Sequence, residues 1–494
     1  MFMISSLTVL GGGTSGLISA LMIKKSWPEL KITLIESSTI GIIGVGEGST
    51  EHWSRFMAHI DLDVSDLIRE AGATYKIGIK FNNWHGDQTS YWHSLGEDYT
   101  KRCPNTGLYY MLMGMIGDNK NQNESVYKFS RDSYHTEPLH LSTAQYHFDT
   151  FKLNTFLHKK AKERGIEFID TDIVDVELDE QGYVSSLIDK NNQRYSSDFY
   201  IDCSGFKRII GTKLGIKWIS CQEELPMNSA MAFPTPGTDD IPSYTEATAL
   251  TSGWMWRIPT QERYGNGYVF CDSFITEDNA QQELESIHGK VNIGRRIKFT
   301  PGYVNKSMVK NCAMIGLSSI FVEPLEASSI GTTIQQIFLL IPNLFHFSKG
   351  DKNRTSDIYN QHMEEINQNV IDFIQLHYFT QRSDSEFWNW CKSNIAITEF
   401  NRDTLEYFKT NWPNHLHFPN QLALFSAVNW IQVMWGLRLF DSSAIKSKIP
   451  SSLRPLIDSQ EKEIEKWVSS VQTFSHRESI EILKTRYPQI SYAL

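Results

Sequence analysis

The 494-residue chain lacks the marks of a secreted, membrane-embedded, metal-binding or polyanion-binding protein. Its six cysteines (Cys103, Cys203, Cys221, Cys271, Cys312, Cys391) are scattered with no CxxC pair. A disulfide framework is therefore not expected, and reduced thiols in a cytoplasmic setting are. Long apolar runs are missing too. The longest, Ile337 to Phe345, is broken by Pro342 and is too short to span a bilayer. The opening MFMISSLTVLGGG has no basic stretch before its apolar segment, so it reads as a strand and not as a signal peptide. Positive charge is in deficit: 47 Lys and Arg face 57 Asp and Glu, a net charge of −10, which argues against nucleic acid as a partner. There is no fixed-period repeat, no low-complexity tract and no G-x-S-x-G elbow, which leaves a hydrolase triad unsupported. His135, His140 and His147, and the pair His415 and His417, lack zinc-site spacing.

What is present describes a folded α/β chain. At 40% hydrophobic and 21% charged residues it can bury a sizeable core. Leu7–Leu10 reads as a buried strand, a helix follows from about Ser15 to Lys25, and Ile32–Ile35 forms a second strand ending at Glu36. Residues 151–169 read as a helix passing through Gly165 into a strand. Residues 172–202 alternate like a small antiparallel sheet with a turn at Glu180-Gln181-Gly182. Residues 226–310 carry turns and short strands, and from about Ile330 the pattern is helical to the end. The expected fold is a mixed α/β one. A Rossmann-like module spans 1–340, interleaved with substrate-side sheet segments around 80–150 and 220–300. A helical substrate-side region spans 341–494, and the whole forms one composite unit.

Gly11-Gly12-Gly13-Thr14-Ser15-Gly16 fits GxGxxG between a strand and a helix. Gly11 permits the tight turn, Gly13 admits a pyrophosphate to the helix N-terminus, and Gly16 allows close helix–strand packing. Glu36 stands where a carboxylate takes ribose hydroxyls. This pattern alone leaves FAD and NAD open. Two further segments favour FAD: the strand and turn Tyr200-Ile201-Asp202-Cys203-Ser204-Gly205, and a second glycine loop, Gly44-Val45-Gly46-Glu47-Gly48-Ser49-Thr50. No second GxGxxG with its own strand and acid is evident, so no nicotinamide domain is expected.

Three more segments, taken with these, resemble the flavin-dependent halogenases of the tryptophan halogenase family. Gly253-Trp254-Met255-Trp256-Arg257-Ile258-Pro259 matches a WxWxIP signature. Gly78-Ile79-Lys80-Phe81-Asn82-Asn83-Trp84 is similar to the segment bearing that family's lysine. Phe321-Val322-Glu323-Pro324-Leu325-Glu326-Ala327-Ser328-Ser329-Ile330-Gly331 is similar to its glutamate and halide segment. Two departures stand out: Glu326-Ala327-Ser328-Ser329 replaces Glu-Ser-Thr-Gly, and Gly316-Leu317-Ser318 stands where many flavin monooxygenases have Gly-Asp.

The resemblance implies an enzyme that uses FADH2, O2 and a halide (chloride, bromide or iodide) to form hypohalous acid. That oxidant halogenates an electron-rich, indole-like ring. Lys80 would hold or activate it. Glu326 would stabilise the ring cation or take its proton, with Glu323 as the local competitor. Ser328 and Ser329, at a helix start, would bind halide. Gly11, Gly13, Thr14, Ser15, Gly16, Glu36, Gly46, Glu47, Asp202, Gly316 and Ile330 would bind the flavin. Phe81, Trp84, Tyr91, Trp92 and His93 are the expected substrate walls, and Trp254, Trp256 and Pro259 the barrier between flavin and substrate. A separate flavin reductase would supply FADH2, and a homodimer is the expected assembly. The alternatives are an FAD-dependent aromatic hydroxylase and a non-catalytic flavin-binding protein.

Overall fold

In a computed structural model, the structure describes residues 4–41, 47–94, 107–120, 127–128, 131, 145–350, 352–411, 417 and 423–485. Strand Ser6–Leu10, helix Thr14–Ser26 and strand Lys31–Glu36 open the chain as the pattern predicts. They lie in a six-stranded sheet in the order Met308–Val309, Cys312–Met314, Phe199–Asp202, Ser6–Leu10, Lys31–Glu36, Glu167–Asp170. All pairings are parallel except the Met308–Val309 hairpin at one edge.

Phe199–Asp202 sits beside Ser6–Leu10 in this parallel sheet, not in the small antiparallel sheet expected across 172–202. That small sheet holds only Ile173–Leu178, Val184–Asp189 and Arg194–Tyr195. The reason is burial: Phe199, Tyr200 and Ile201 are all enclosed, which suits a strand covered on both faces. One helix of the middle region, Glu277–His288, was not anticipated. Its signals are local, with Thr276 accepting from the Asn279 N–H and Glu277 and Asp278 in the first turn.

The substrate-side sheet has seven strands in the order Arg295–Lys298, Ser229–Pro236, Arg263–Phe270, Gly253–Pro259, Tyr244–Leu250, Gly78–Asn82, Ser90–Ser94. A three-stranded sheet, Glu47–Gly48, Gln145–Phe148, Thr74–Lys76, lies next to it. The chain changes sheets at Ile77: Thr74–Lys76 pairs antiparallel with Gln145–Phe148, whereas Gly78–Asn82 pairs parallel with Tyr244–Leu250. Helix Ser328–Ser348 begins two residues earlier than the pattern suggested and runs through the 340/341 boundary. Its buried face carries Ile330, Ile334 and Ile337 into the core that also holds Leu17, Ile18 and Leu21 of the first helix.

Candidate active site

At the nucleotide end, Gly11 has φ 121°, a conformation open to glycine. Gly13 is the N-cap of helix Thr14–Ser26, with no side-chain cap and no acid in the first turn. Nothing lies within 4 Å of where its Cβ would stand. The first-turn N–H groups and the helix dipole thus face open space, which suits a pyrophosphate. Glu36 ends its strand with its carboxylate 3.0 Å from His158 Nε2. Gly316 lies against Ser15, whose hydroxyl is 3.1 Å from Thr333 Oγ1. Glu47 is enclosed, and burial, outweighing a hydrogen bond from Thr14, pushes its carboxyl up to about 7. Its Oε2 is buried without a hydrogen-bond partner among the described residues, an orphan acceptor beside the glycine turn. These features suit an extended dinucleotide, which the amides after Gly13, Glu36 and Glu47 would hold. Gly46 lies outside the described residues.

Asp202 behaves differently from expectation. One carboxylate oxygen accepts from the Ser204 N–H, the Ser204 hydroxyl and the Ser318 hydroxyl, and the other from the N–H groups of Ile210 and Gly211. Both oxygens are spent on capping the turn, so Asp202 shapes the loop and has no oxygen left for a cofactor.

At the reaction end, the register separates the predicted residues into two faces. Ile79 opposes His93 and Phe81 opposes Tyr91, while Lys80 opposes Trp92 on the other side of the pleat. Phe81 stacks on Tyr91 at 4.7 Å, and Phe81 and Trp84 lie 5.1 and 6.1 Å from the His377 ring. Trp92 faces away and stacks on Tyr127 at 4.0 Å. Lys80, half-buried, holds its ammonium 5.4 Å above Trp92. It therefore sits across the sheet from Glu326. The rings proposed as substrate walls are themselves buried against one another, with the Trp84 indole N–H donating to the Ala247 carbonyl at 3.0 Å.

Glu326 is fully buried between two histidines that sequence patterns did not connect to it. His93 Nδ1 lies 2.9 Å from one oxygen and His377 Nε2 2.9 Å from the other. Hydrogen bonding fixes the protons. The Asn429 carbonyl oxygen accepts from the Ser426 N–H and hydroxyl, so its NH2 faces His93 Nε2 at 3.0 Å. His93 therefore carries its proton on Nδ1 and donates it to Glu326. His377 faces two acceptors, the Phe373 carbonyl at Nδ1 and Glu326 at Nε2. Burial alone would raise the Glu326 carboxyl, but His93 and His377 outweigh it and bring it down to about 2.

The buried lysine of this site is Lys76, not Lys80. It is 2% exposed at the end of Thr74–Lys76, and its Nζ donates to the Ser49 carbonyl at 2.8 Å. Burial lowers its ammonium to about 8, against the pull of Glu326 and Glu51, which favour the charged form. A Cβ at Gly48 would stand 3.4 Å from Ala327 Cβ and 3.6 Å from Lys76 Nζ, so the second glycine loop, Lys76 and the residue after Glu326 converge. Thr74, two residues before, donates its hydroxyl to the Pro259 carbonyl at 2.8 Å and ties this strand to the WxWxIP segment. Trp254 and Trp256 are buried with ring centroids 6.2 Å apart, and Gly267 leaves the room that the Trp256 indole fills. Ala327, in the left-handed region at φ 53°, is the N-cap of helix Ser328–Ser348 and supplies no side-chain cap. Ser328 is buried in the first turn and Ser329 exposed, beside amides that no side chain caps.

The tryptophan halogenase family profile matches residues 6–447. The chain belongs to the tryptophan halogenase family. The 7-chloro-L-tryptophan 6-halogenase KtzR of Kutzneria sp. (strain 744) is 30% identical to it, over 83% of this chain and 86% of that protein. The crystal structure of the tryptophan 6-halogenase SttH from Streptomyces toxytricini superposes with a TM-score of 0.86 at 26% identity, covering 97% of this chain and 99% of that one. BrvH, a flavin-dependent halogenase from Brevundimonas sp. BAL3, superposes at 0.83 with 27% identity, covering 97% and 99%. As a member of this family the chain is a flavin-dependent halogenase that works with FAD and a halide on an aromatic substrate. No helix among the described residues is long and apolar enough to cross a membrane.

Proposed function

We propose that Lys76 and Glu326 are the reacting pair of a halogenase acting on indole-like rings. The observation that carries this reading is a buried lysine within electrostatic reach of a buried, ionised carboxylate, beneath the WxWxIP segment. When bound, FADH2 supplies, with O2 and halide, the hypohalous acid. The chain's own residues do the rest. Below about 8 Lys76 is an ammonium, and it donates a hydrogen bond to the hypohalous oxygen. The oxygen–halogen bond breaks as carbon–halogen forms, and the Lys76 proton leaves with the oxygen as water. The ring cation then loses its proton to Glu326, and Glu326 passes a proton on to Lys76, which restores both the carboxylate and the ammonium. A carboxylate held at about 2 is a weak base, but a halogenated ring cation is a strong acid, so the transfer runs downhill. Trp254 and Trp256 screen the ring from the flavin, and the first-turn amides around Ser328 and Ser329 hold halide. Phe81, Trp84 and Tyr91 are assigned to supporting the walls, His93 to holding Glu326, and Trp92 lies on the opposite face of the sheet.

A separate reductase supplies FADH2 in this reading, and the chain works as a cytoplasmic homodimer. The test is incubation with a flavin reductase, NADH, FAD, bromide and a panel of indoles and phenols. Brominated product with its isotope doublet is expected by mass spectrometry. No product with chloride, bromide or iodide across the panel would overturn the reading.

A further inference from the structure

The point where the Lys76 strand changes sheets is held by a side chain from far along the chain. Ile77 N–H donates to the Ser243 carbonyl at 2.7 Å, the last rung of the parallel ladder that pairs Gly78 with Tyr244. The next rung of such a ladder joins the Tyr75 N–H to the Ile241 carbonyl. An imidazole stands in that gap instead. The Tyr75 N–H donates to His476 Nε2 at 2.9 Å, and His476 Nδ1 donates to the Ile241 carbonyl at 2.9 Å. The ring is buried and lies parallel to the Tyr75 ring, 5.1 Å between centroids at 10°. Both nitrogens are committed, one as acceptor and one as donor, so the tautomer is fixed and the ring replaces a single backbone hydrogen bond with two.

The ring's own support is rigid. His476 opens helix His476–Thr485, where the Ser475 N–H donates to the Glu478 carboxylate at 2.7 Å and the Glu478 N–H returns to the Ser475 hydroxyl. Arg477 donates to the Asp239 and Thr238 carbonyls and fixes the segment leading to Ile241. Residue 476 lies beyond the stretch, 6–447, that the family profile matches.

We infer that His476 is a positioning residue for Lys76: its imidazole, inserted between Tyr75 and Ile241, spreads the two strands and turns residue 76 out of the large sheet toward Glu326. This rests on the reading of Lys76 as the reacting lysine. Without the wedge, the strand can zip directly onto Ile241, carrying Lys76 with it.

The test compares His476→Phe, which keeps the ring and loses both polar atoms, with His476→Gln, whose amide offers one acceptor and one donor. Hydrogen exchange at the Tyr75 amide is expected to rise by about a hundredfold in His476→Phe and to stay near wild type in His476→Gln. Halogenated product per reduced flavin should fall by about tenfold or more in His476→Phe, with KM for the aromatic substrate within about twofold, and largely recover in His476→Gln. Unchanged Tyr75 exchange in His476→Phe, or equal losses in both variants, overturns the inference. Should His476→Phe fail to fold, His476→Asn takes its place, since its shorter amide cannot reach both partners. Undiminished turnover in Lys76→Met, with the exchange effect intact, would overturn the assignment of Lys76 and leave the wedge standing.

Discussion

Glu323 and Glu326 stand three residues apart, both fully buried, and the protein treats them in opposite ways. Glu326 is clasped by two imidazoles and held down to about 2. Among the described residues, Glu323 forms no ion pair. Its carboxyl accepts from the Tyr378 hydroxyl at 2.7 and 2.8 Å. Burial dominates there, against the weaker pull of Tyr378 and Trp254, and pushes it up to about 8. At neutral pH one is an anion and the other a neutral acid. Burial alone therefore does not decide the state of a carboxyl: it prevails at Glu323 and is outweighed at Glu326 by the two imidazoles. Only the ionised one can stabilise a cationic ring or accept its proton.

Removing the charge that differs should give the largest effect. Glu326→Gln is expected to cut halogenated product per reduced flavin by about a hundredfold, as loss of a transition-state electrostatic partner does, while Glu323→Gln stays within about threefold. Equal losses in the two variants, measured by mass spectrometry of product, would erase the distinction. His377→Gln should cost about tenfold, and combining it with Glu326→Gln should add little, because both act through one hydrogen-bonded unit. Additive losses in that cycle would separate His377 from Glu326.

The smallest effects are on folding. Glu326, depressed in the folded state, contributes stability that is present above its ordinary value near 4.5 and is lost as pH falls toward about 2. Glu323, raised in the folded state, contributes stability that is full below 4.5 and is lost as pH rises through about 8. In thermal melts, Glu323→Gln should flatten the alkaline decline in Tm and leave the acid side alone. Glu326→Gln should do the reverse. Matching slopes in both variants would contradict the assigned states.

Much of the frame was readable from residue patterns, for physical reasons. A strand, a glycine turn and a helix are local, so the opening βαβ unit and the apolar seam of Ser328–Ser348 follow from neighbours in sequence. Asp202 was misread because its turn resembles a cofactor turn, while its oxygens are used by amides that the sequence does not place near it. His377 lies 51 residues after Glu326, with no motif linking them. Under the proposed assignment, the lysine is the residue that local sequence places least well. In TYKIGIKF, Lys76 and Lys80 share one strand parity, and treating the stretch as a single strand gives no reason to separate them. The separation comes from the change of sheet at Ile77, which depends on partners at 145–147 and 244–248. One signal was available: Lys76 is flanked by Tyr75 and Ile77 and follows Thr74, an enclosed setting, whereas Lys80 lies two residues before the stretch Asn82–Gln88, which carries exposed turn residues.

The central claim is that the buried lysine performs the chemistry and the half-buried one does not. It is tested most directly by single-turnover reactions of Lys76→Met and Lys80→Met with reduced flavin, O2, bromide and an accepted aromatic substrate. Brominated product per flavin oxidised is read by mass spectrometry. The account predicts a loss of about a thousandfold or more in Lys76→Met, with flavin still oxidised by O2, and a yield within about twofold of wild type in Lys80→Met. Product persisting in Lys76→Met, or lost in Lys80→Met alone, would contradict it.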